Sequence, residues 1–281
     1  MELKNISYIY GKNQILDSVN LKFNEKCFSV LFGADDAGKT TLLHLIMGFI
    51  PHYRGDVVWE SDTPPIIRFV PDDIIWEKRM TARQYMRFAE KACPCYDLSA
   101  QCHLCEAFSI PLDEQLLNLT YQENKMVQII AALCANPGFL ILDEPMNFLD
   151  SSTYLRVLEV LQEGNRKGMG ILLATEKYAD AKGKCSHYAY LKEGKVIASN
   201  QVPSLDYRKK VVTITEGRQD ILAPVMEKVC NLGQGKIAFL YKGEIEGLPT
   251  ILREAGGRDF TVEDMSLEEE LEMDFSRWEE G

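Results

Sequence analysis

Residues Gly33-Ala34-Asp35-Asp36-Ala37-Gly38-Lys39-Thr40 read G-x-x-x-x-G-K-T. The flanking residues narrow what this segment can be. Residues 27–32 are a short, mostly apolar run that suits a buried strand, and residues 41–47, opening with Thr41, are apolar at helical spacing. A strand, a glycine-bounded loop and a helix N-terminus together make a phosphate cradle. Loop amides point inward, the helix dipole favours an anion, Lys39 reaches the β and γ phosphates, and the Thr40 hydroxyl meets Mg²⁺. The chain is therefore expected to bind a nucleoside triphosphate.

A chain of 281 residues accommodates one large domain, or one domain and an appendage. No stretch approaches the roughly 20 apolar residues of a membrane-spanning helix, and the N-terminus carries no signal-peptide pattern. Any membrane role is expected to be peripheral. The net charge of −11 sits mostly at the C-terminus, where residues 259–281 carry ten carboxylates against Arg277 alone. The remainder is close to neutral, which excludes a basic nucleic-acid-binding face. Eight cysteines without a secretory signal imply reduced thiols in a cytosolic protein. Cys93, Cys95, Cys102 and Cys105 cluster beside His103, and two readings are open: a tetrahedral zinc site, or free, partly buried thiols.

Further patterns order the chain. Residues 1–30 alternate as short antiparallel strands around the turn at Gly11. Residues 66–70 read as a buried strand, residues 81–117 as helical with breaks at Pro94 and Pro111, and residues 123–134 as an apolar-striped helix. Residues 139–142 and 170–174 are all-apolar runs expected of parallel strands, separated by a helix over 151–166. From about 205 the character shifts to a small α+β appendage. Strands are expected at 211–215 and 237–241, helices at 221–230 and 248–255, and an acidic terminal helix opened by the capping box at Ser266.

Asp143 and Glu144 follow the run at 139–142, at the strand edge where open α/β sheets bind ligands. Asp143 is placed to hold the Mg²⁺ shell, and Glu144 to orient or deprotonate the attacking water. With both motifs in this order, residues 1–204 resemble the ATP-binding cassette (ABC) ATPases that drive membrane transporters. The resemblance implies an α/β P-loop NTPase with a RecA-like, mostly parallel sheet, an antiparallel β subdomain, a helical subdomain over about 74–135, and an extension over 205–281. It implies that Tyr10 stacks on adenine, that Gly33–Thr41 is the Walker A loop, that Phe139–Pro145 is Walker B with Glu144 as its catalytic residue, and that Asn147–Asp150 is the D-loop. ATP and Mg²⁺ are the implied cofactors. The implied partners are a separate membrane permease and a second ATPase subunit, with two ATPs sandwiched head to tail between Walker A and the partner's signature. The C-terminal extension resembles that of exporter-type members.

Four positions depart from the family pattern. The signature L-S-G-G-Q aligns with Leu119-Thr120-Tyr121-Gln122-Glu123, which keeps a hydroxyl and loses both glycines, and with them the close approach of backbone to phosphate. The switch histidine aligns with Glu176, and no histidine lies between Gly168 and Ser186. An ionised glutamate only accepts hydrogen bonds. The Q-loop glutamine aligns with Asp72, still a hard-oxygen ligand for Mg²⁺. Asp36 replaces a Walker A glycine, with Asp35 beside it. These changes predict slow hydrolysis and favour a heterodimer in which the partner does much of the turnover. Tyr85, Met86 and Phe88 are candidate permease contacts, and each is equally a candidate for the core. The alternative reading is a nucleotide-responsive sensor subunit with little hydrolysis.

Overall fold

The computed structural model describes residues 1–60, 64–72, 79–176, 185–201, 210–215, 217–233, 235–241, 247–256, 259–264 and 279–280. It divides into two units, Met1–Val202 and Pro203–Gly281.

The first unit holds two sheets. Glu2–Tyr10 (β1) and Asn13–Lys22 (β2) form a hairpin, and Arg54–Val58 (β4) pairs antiparallel with the other side of β1. Gly55 has φ 95, and a Cβ there would lie 2.3 Å from the Lys4 carbonyl oxygen. Only glycine fits so close a backbone approach. The larger sheet contains Phe28–Phe32 (β3), Ile67–Val70 (β5), Phe139–Asp143 (β6), Gly170–Thr175 (β7), His187–Lys192 (β8) and Lys195–Gln201 (β9). Their order is β5-β6-β7-β3-β8-β9, parallel except for β9, which returns antiparallel on β8.

The mostly apolar strands β3, β6 and β7 are buried on both faces, as parallel strands require. The period-two alternation sends alternate residues into separate cores. Val30, Leu140, Leu142, Ile171 and Leu173 pack on one side with Val127 and Ile130 of Tyr121–Cys134 (α4) and Val157, Leu158 and Leu161 of Ser151–Arg166 (α5). Leu31, Phe139, Ile141, Leu172 and Ala174 pack on the other with Leu42, Leu43, Leu45 and Ile46 of Lys39–Ile46 (α1) and with the inner face of β1 and β2. Truncating any of these leucines to alanine costs about 2–5 kcal/mol. The loops leaving β5, β6, β7 and β3 therefore emerge side by side from one rigid edge.

Ala82–Ala92 (α2) and Leu98–Ala107 (α3) pack with α4. Thr81 caps α2 in a reciprocal box with Gln84, and Asp97 caps α3.

The second unit is a five-stranded antiparallel sheet of Lys210–Thr215 (β10), Met226–Gly233 (β11), Lys236–Tyr241 (β12), Phe260–Asp264 (β13) and Glu279–Glu280 (β14). Its order is β13-β10-β12-β11-β14. Gln219–Leu222 (α6) and Leu248–Glu254 (α7) flank it, and Val212, Ile214, Leu222, Phe239, Leu248 and Leu252 form its own core. The helix expected over 221–230 is not there. Helix α6 ends at Leu222, Pro224 falls in a 3-10 turn, and the chain from Met226 is strand. Proline removes an amide donor and disfavours helix in the residue before it, which frees Val229 and Cys230 to pair with Phe239 and Ala238. The start of the acidic tail, Phe260–Asp264, is strand, and so is Glu279–Glu280, where the terminal helix was expected. The capping box at Ser266 lies outside the described residues.

Candidate nucleotide site

The loop from Gly33 to Gly38 leaves β3 and turns into α1. A Cβ on Gly33 would lie 2.5 Å from the Leu191 carbonyl oxygen of β8, and Gly38 adopts φ 100 with Leu16 against it. The loop is clamped from outside as well, because the Gly194 amide donates to the Ala37 carbonyl at 3.1 Å. Asp36 takes φ 63, a left-handed conformation that aspartate tolerates better than most residues. Gly38 caps α1 without a side-chain bond and its first turn holds no acidic residue, so the helix-terminal amides and dipole face outward toward the loop. Thr40 is exposed on that face.

Lys39 folds back into the cradle. Its Nζ donates to the carbonyls of Gly33 at 2.7 Å and Ala34 at 3.2 Å, and lies 3.1 Å from Glu144 Oε1. Both side chains of this ion pair are more than nine-tenths buried. Burial raises the Glu144 carboxyl, with Lys39 opposing. Glu144 sits at φ 42, an uncommon backbone state that its own amide, donating to Ala174 O at 3.0 Å, helps to fix.

Asp143 is fully buried, and neither carboxylate oxygen has a hydrogen-bond partner. Burial raises its carboxyl and the charge of Asp72 adds to this, while the neighbouring Thr40 hydroxyl and Lys39 pull the other way. Two orphaned carboxylate oxygens beside a hydroxyl fit a hard dication such as Mg²⁺, which would supply the missing partner.

The remaining motif residues surround these. After β5, Asp72 Oδ1 accepts from the Tyr121 hydroxyl at 2.9 Å and lies 3.6 Å from the buried Lys125 Nζ. After β7, the Glu176 amide donates to Glu144 Oε2 at 3.4 Å, and hydrogen bonding to Asp35 raises the Glu176 carboxyl. Thr120 caps α4: its Oγ1 accepts from the Glu123 amide, and Glu123 Oε2 accepts from both the Thr120 amide and hydroxyl at 2.8 Å. The hydroxyl expected to meet a partner's phosphate is thus engaged within its own turn. Asp150 caps α5, where bonds from Ser152 and Thr153 lower its carboxyl well below the usual range.

The sequence also matches relatives of known kind. The family model described as ABC transporter matches residues 16–147. The lipopolysaccharide export system ATP-binding protein LptB of Escherichia coli (strain K12) is 24% identical over 213 residues, covering 69% of this chain and 88% of the relative. A solved ATP-binding subunit of an ABC transporter superposes with TM-score 0.64 and 25% identity, covering 72% of this chain and 89% of that one. Residues 16–147 thus carry the ABC transporter family match, and the first unit has the fold of the ATP-binding subunits of ABC transporters.

Other ABC relatives differ in transport direction. The zinc import protein ZnuC of Psychrobacter cryohalolentis is 29% identical over 177 residues, covering 58% of this chain and 67% of the relative. A dimeric cassette in a post-hydrolysis state bound to ADP and Pi shares the fold at TM-score 0.62 and 21% identity, covering 73% of this chain and 99% of that one.

Within the cassette, Tyr10 is 72% exposed at the end of β1, on a hairpin whose second strand brings Ile15 and Leu16 against Gly38. Among the candidate permease contacts, Met86 is buried and Tyr85 half-buried in the core, so only Phe88 faces outward. Cys93 donates to the Ala135 carbonyl and Cys105 packs on Met86, while Cys95 and Cys102 are exposed. Among the described residues no cluster of three or more histidine, cysteine or acidic side chains is placed to hold a metal, which removes the zinc reading. Sequence reasoning missed Lys125, which donates to Pro71 O at 2.8 Å and Asp72 O at 2.6 Å. A single cation within the buried stripe of α4 was the available signal. No described helix is long and apolar enough to cross a membrane.

Proposed function

We propose that this chain is the ATP-hydrolysing subunit of an ABC transporter and that it works peripherally on the inner membrane face through a separate permease. The observation that carries the reading is the convergence of Lys39, Glu144 and the unpartnered oxygens of Asp143 beneath the 33–38 loop. Tyr10 stacks on the adenine, and the loop amides and α1 N-terminus bind the phosphates. Thr40, Asp143 and Asp72 would hold Mg²⁺, which neutralises phosphate charge when bound. On nucleotide binding Lys39 exchanges Glu144 for phosphate oxygen. The freed Glu144 carboxylate takes a proton from the attacking water, a role its raised pKa suits.

Turnover is slow in this reading. Thr120 already bonds Glu123, and Glu176 and Asp35 supply no fixed cation or amide side chain where charge develops. Losing one oriented donor costs about 10²–10³ in rate. A heterodimer, whose second ATPase provides stronger Walker residues, is the favoured assembly. Export is the direction to test, in line with LptB, although the relatives also include importers. Turnover by the full chain, alone and reconstituted with permease and partner, checks the reading. Ordinary rates from the chain alone, abolished by Glu144→Gln, refute the slow-turnover claim.

A sensor role is the second reading, favoured by the buried Lys39–Glu144 ion pair, which engages both key groups with each other. Unchanged transport by the Glu144→Gln complex would support it, and loss of transport would exclude it.

A further inference from the structure

Two side chains stand on the first turn of α4 where the family signature has glycines, and both bond to loops of the same chain. The Tyr121 hydroxyl donates to Asp72 Oδ1 at 2.9 Å. One helical turn on, Lys125 holds the backbone of the same loop through the carbonyls of Pro71 and Asp72, with its Nζ 5.5 Å from the Tyr121 ring centroid. Residues four apart share a helix face, so Tyr121 and Lys125 grip the β5 loop together. Gln122 points about 100° further round the helix, toward the loop after β6. Its Oε1 accepts the Asp150 amide at 3.0 Å and its Nε2 donates to Thr153 Oγ1 at 3.1 Å. The Tyr121 ring also meets Phe148 of that loop edge-on at 4.9 Å.

We propose that Tyr121 and Gln122 are positioning residues for their own chain's nucleotide site, bracing the Asp72 loop and the 147–150 loop against α4, rather than contacts for a partner's phosphate. Glycines could make none of these side-chain bonds. Val70 pairs with Leu142 across β5 and β6, so the chain leaves these neighbouring strands with Asp72 and Asp143 side by side, and the brace sets the geometry of the acidic cluster. The consequence is that α4 and both loops move as one piece. This inference rests on the proposed nucleotide site.

The test uses the full-length chain, dilute enough to be monomeric by light scattering, with ADP as probe. ADP lacks the γ-phosphate, so a role across a dimer is silent. Tyr121→Phe should weaken Mg²⁺-dependent ADP binding about tenfold, the scale of one bond to a charged group, while leaving Mg²⁺-free ADP binding unchanged. In an Asp72→Ala background, which removes the acceptor side chain, the same change should have no further effect. Gln122→Ala should raise amide exchange at Asp150 about tenfold without changing β6, and Gln122→Glu, which keeps the acceptor, should restore protection. Wild-type Mg-ADP affinity in Tyr121→Phe together with wild-type exchange in Gln122→Ala overturns the brace. Failure of the wild-type chain to bind ADP refutes the proposed function instead, and amide exchange still judges the brace in that case.

Discussion

Replacing Glu144 by glutamine should tighten ADP binding even as it removes hydrolysis. Lys39 Nζ lies 3.1 Å from Glu144 Oε1 and donates to the carbonyls of Gly33 and Ala34. To reach a phosphate it must leave the carboxylate. Two unit charges at this separation attract by about 5 kcal/mol at an effective dielectric near 20. Most of that attraction offsets the cost of burying both groups, so the net tether is smaller. Glutamine keeps an acceptor oxygen but loses the charge, exchanging a charged hydrogen bond for a neutral one, a difference of about 1–2 kcal/mol. The expected gain in ADP affinity is therefore about 5- to 30-fold, read by titration calorimetry on the full chain. Removing carboxylate–phosphate repulsion acts in the same direction. Because the pair is buried, the gain should persist at high salt, where exposed charges are screened. Unchanged or weaker ADP binding in Glu144→Gln would refute the idea that Glu144 restrains Lys39.

Three further outcomes are expected. Burial raises the Asp143 carboxyl, so the folded chain holds that proton more tightly than the unfolded chain, and stability falls as pH rises from the ordinary carboxylate range through the folded value. Asp143→Asn should remove that slope and raise the neutral-pH unfolding temperature in Mg²⁺-free buffer by about 2–4 °C per kcal/mol recovered, while abolishing Mg²⁺-dependent binding; a lowered unfolding temperature would contradict the cost assigned to the buried charge. Gly33→Ala should weaken nucleotide binding at least about tenfold, because its Cβ would meet the Leu191 carbonyl at 2.5 Å and neither strand can give way. Fluorescence titration with a nucleotide analogue reads this. In native protein at mildly alkaline pH, iodoacetamide should label the exposed Cys95 and Cys102 and spare Cys105 and Cys134, whose thiols burial pushes up to about 11 and about 12; peptide mass spectrometry gives the pattern.

What the sequence made legible was local. The G-x-x-x-x-G-K-T loop, its preceding strand and its following helix lie within 20 consecutive positions or so, and each is written in apolar spacing or glycine placement. The strand before Asp143 and the helix capped by Asp150 were readable for the same reason. The braces were not. Gln122 meets Asp150 across 28 positions and Lys125 meets Pro71 across 54, so their bonds exist only once α4 is packed beside the sheet edge. Tyr121 and Gln122 read as damage to a glycine signature, and only three-dimensional placement gives them partners. The misread helix at 221–230 came from weighting apolar spacing above Pro224, where the missing amide decides. Tyr85 and Met86 were open between permease contact and core, and the packing of α2 against α4 decides for the core.

The sheet order gives the site a built-in ruler. Because β5, β6, β7 and β3 are consecutive neighbours, the loops bearing Asp72, Asp143 with Glu144, Glu176 and Lys39 are set at increments of one strand spacing, about 4.8 Å. Those increments are held by backbone ladders and by cores on both faces, so a ligand cannot stretch or shorten them. Any mechanical stroke this chain delivers must come from what hangs on the edge rather than from the edge itself. Helix α4 is tied to the first two marks of that ruler, through Tyr121 to Asp72 and through Gln122 to Asp150.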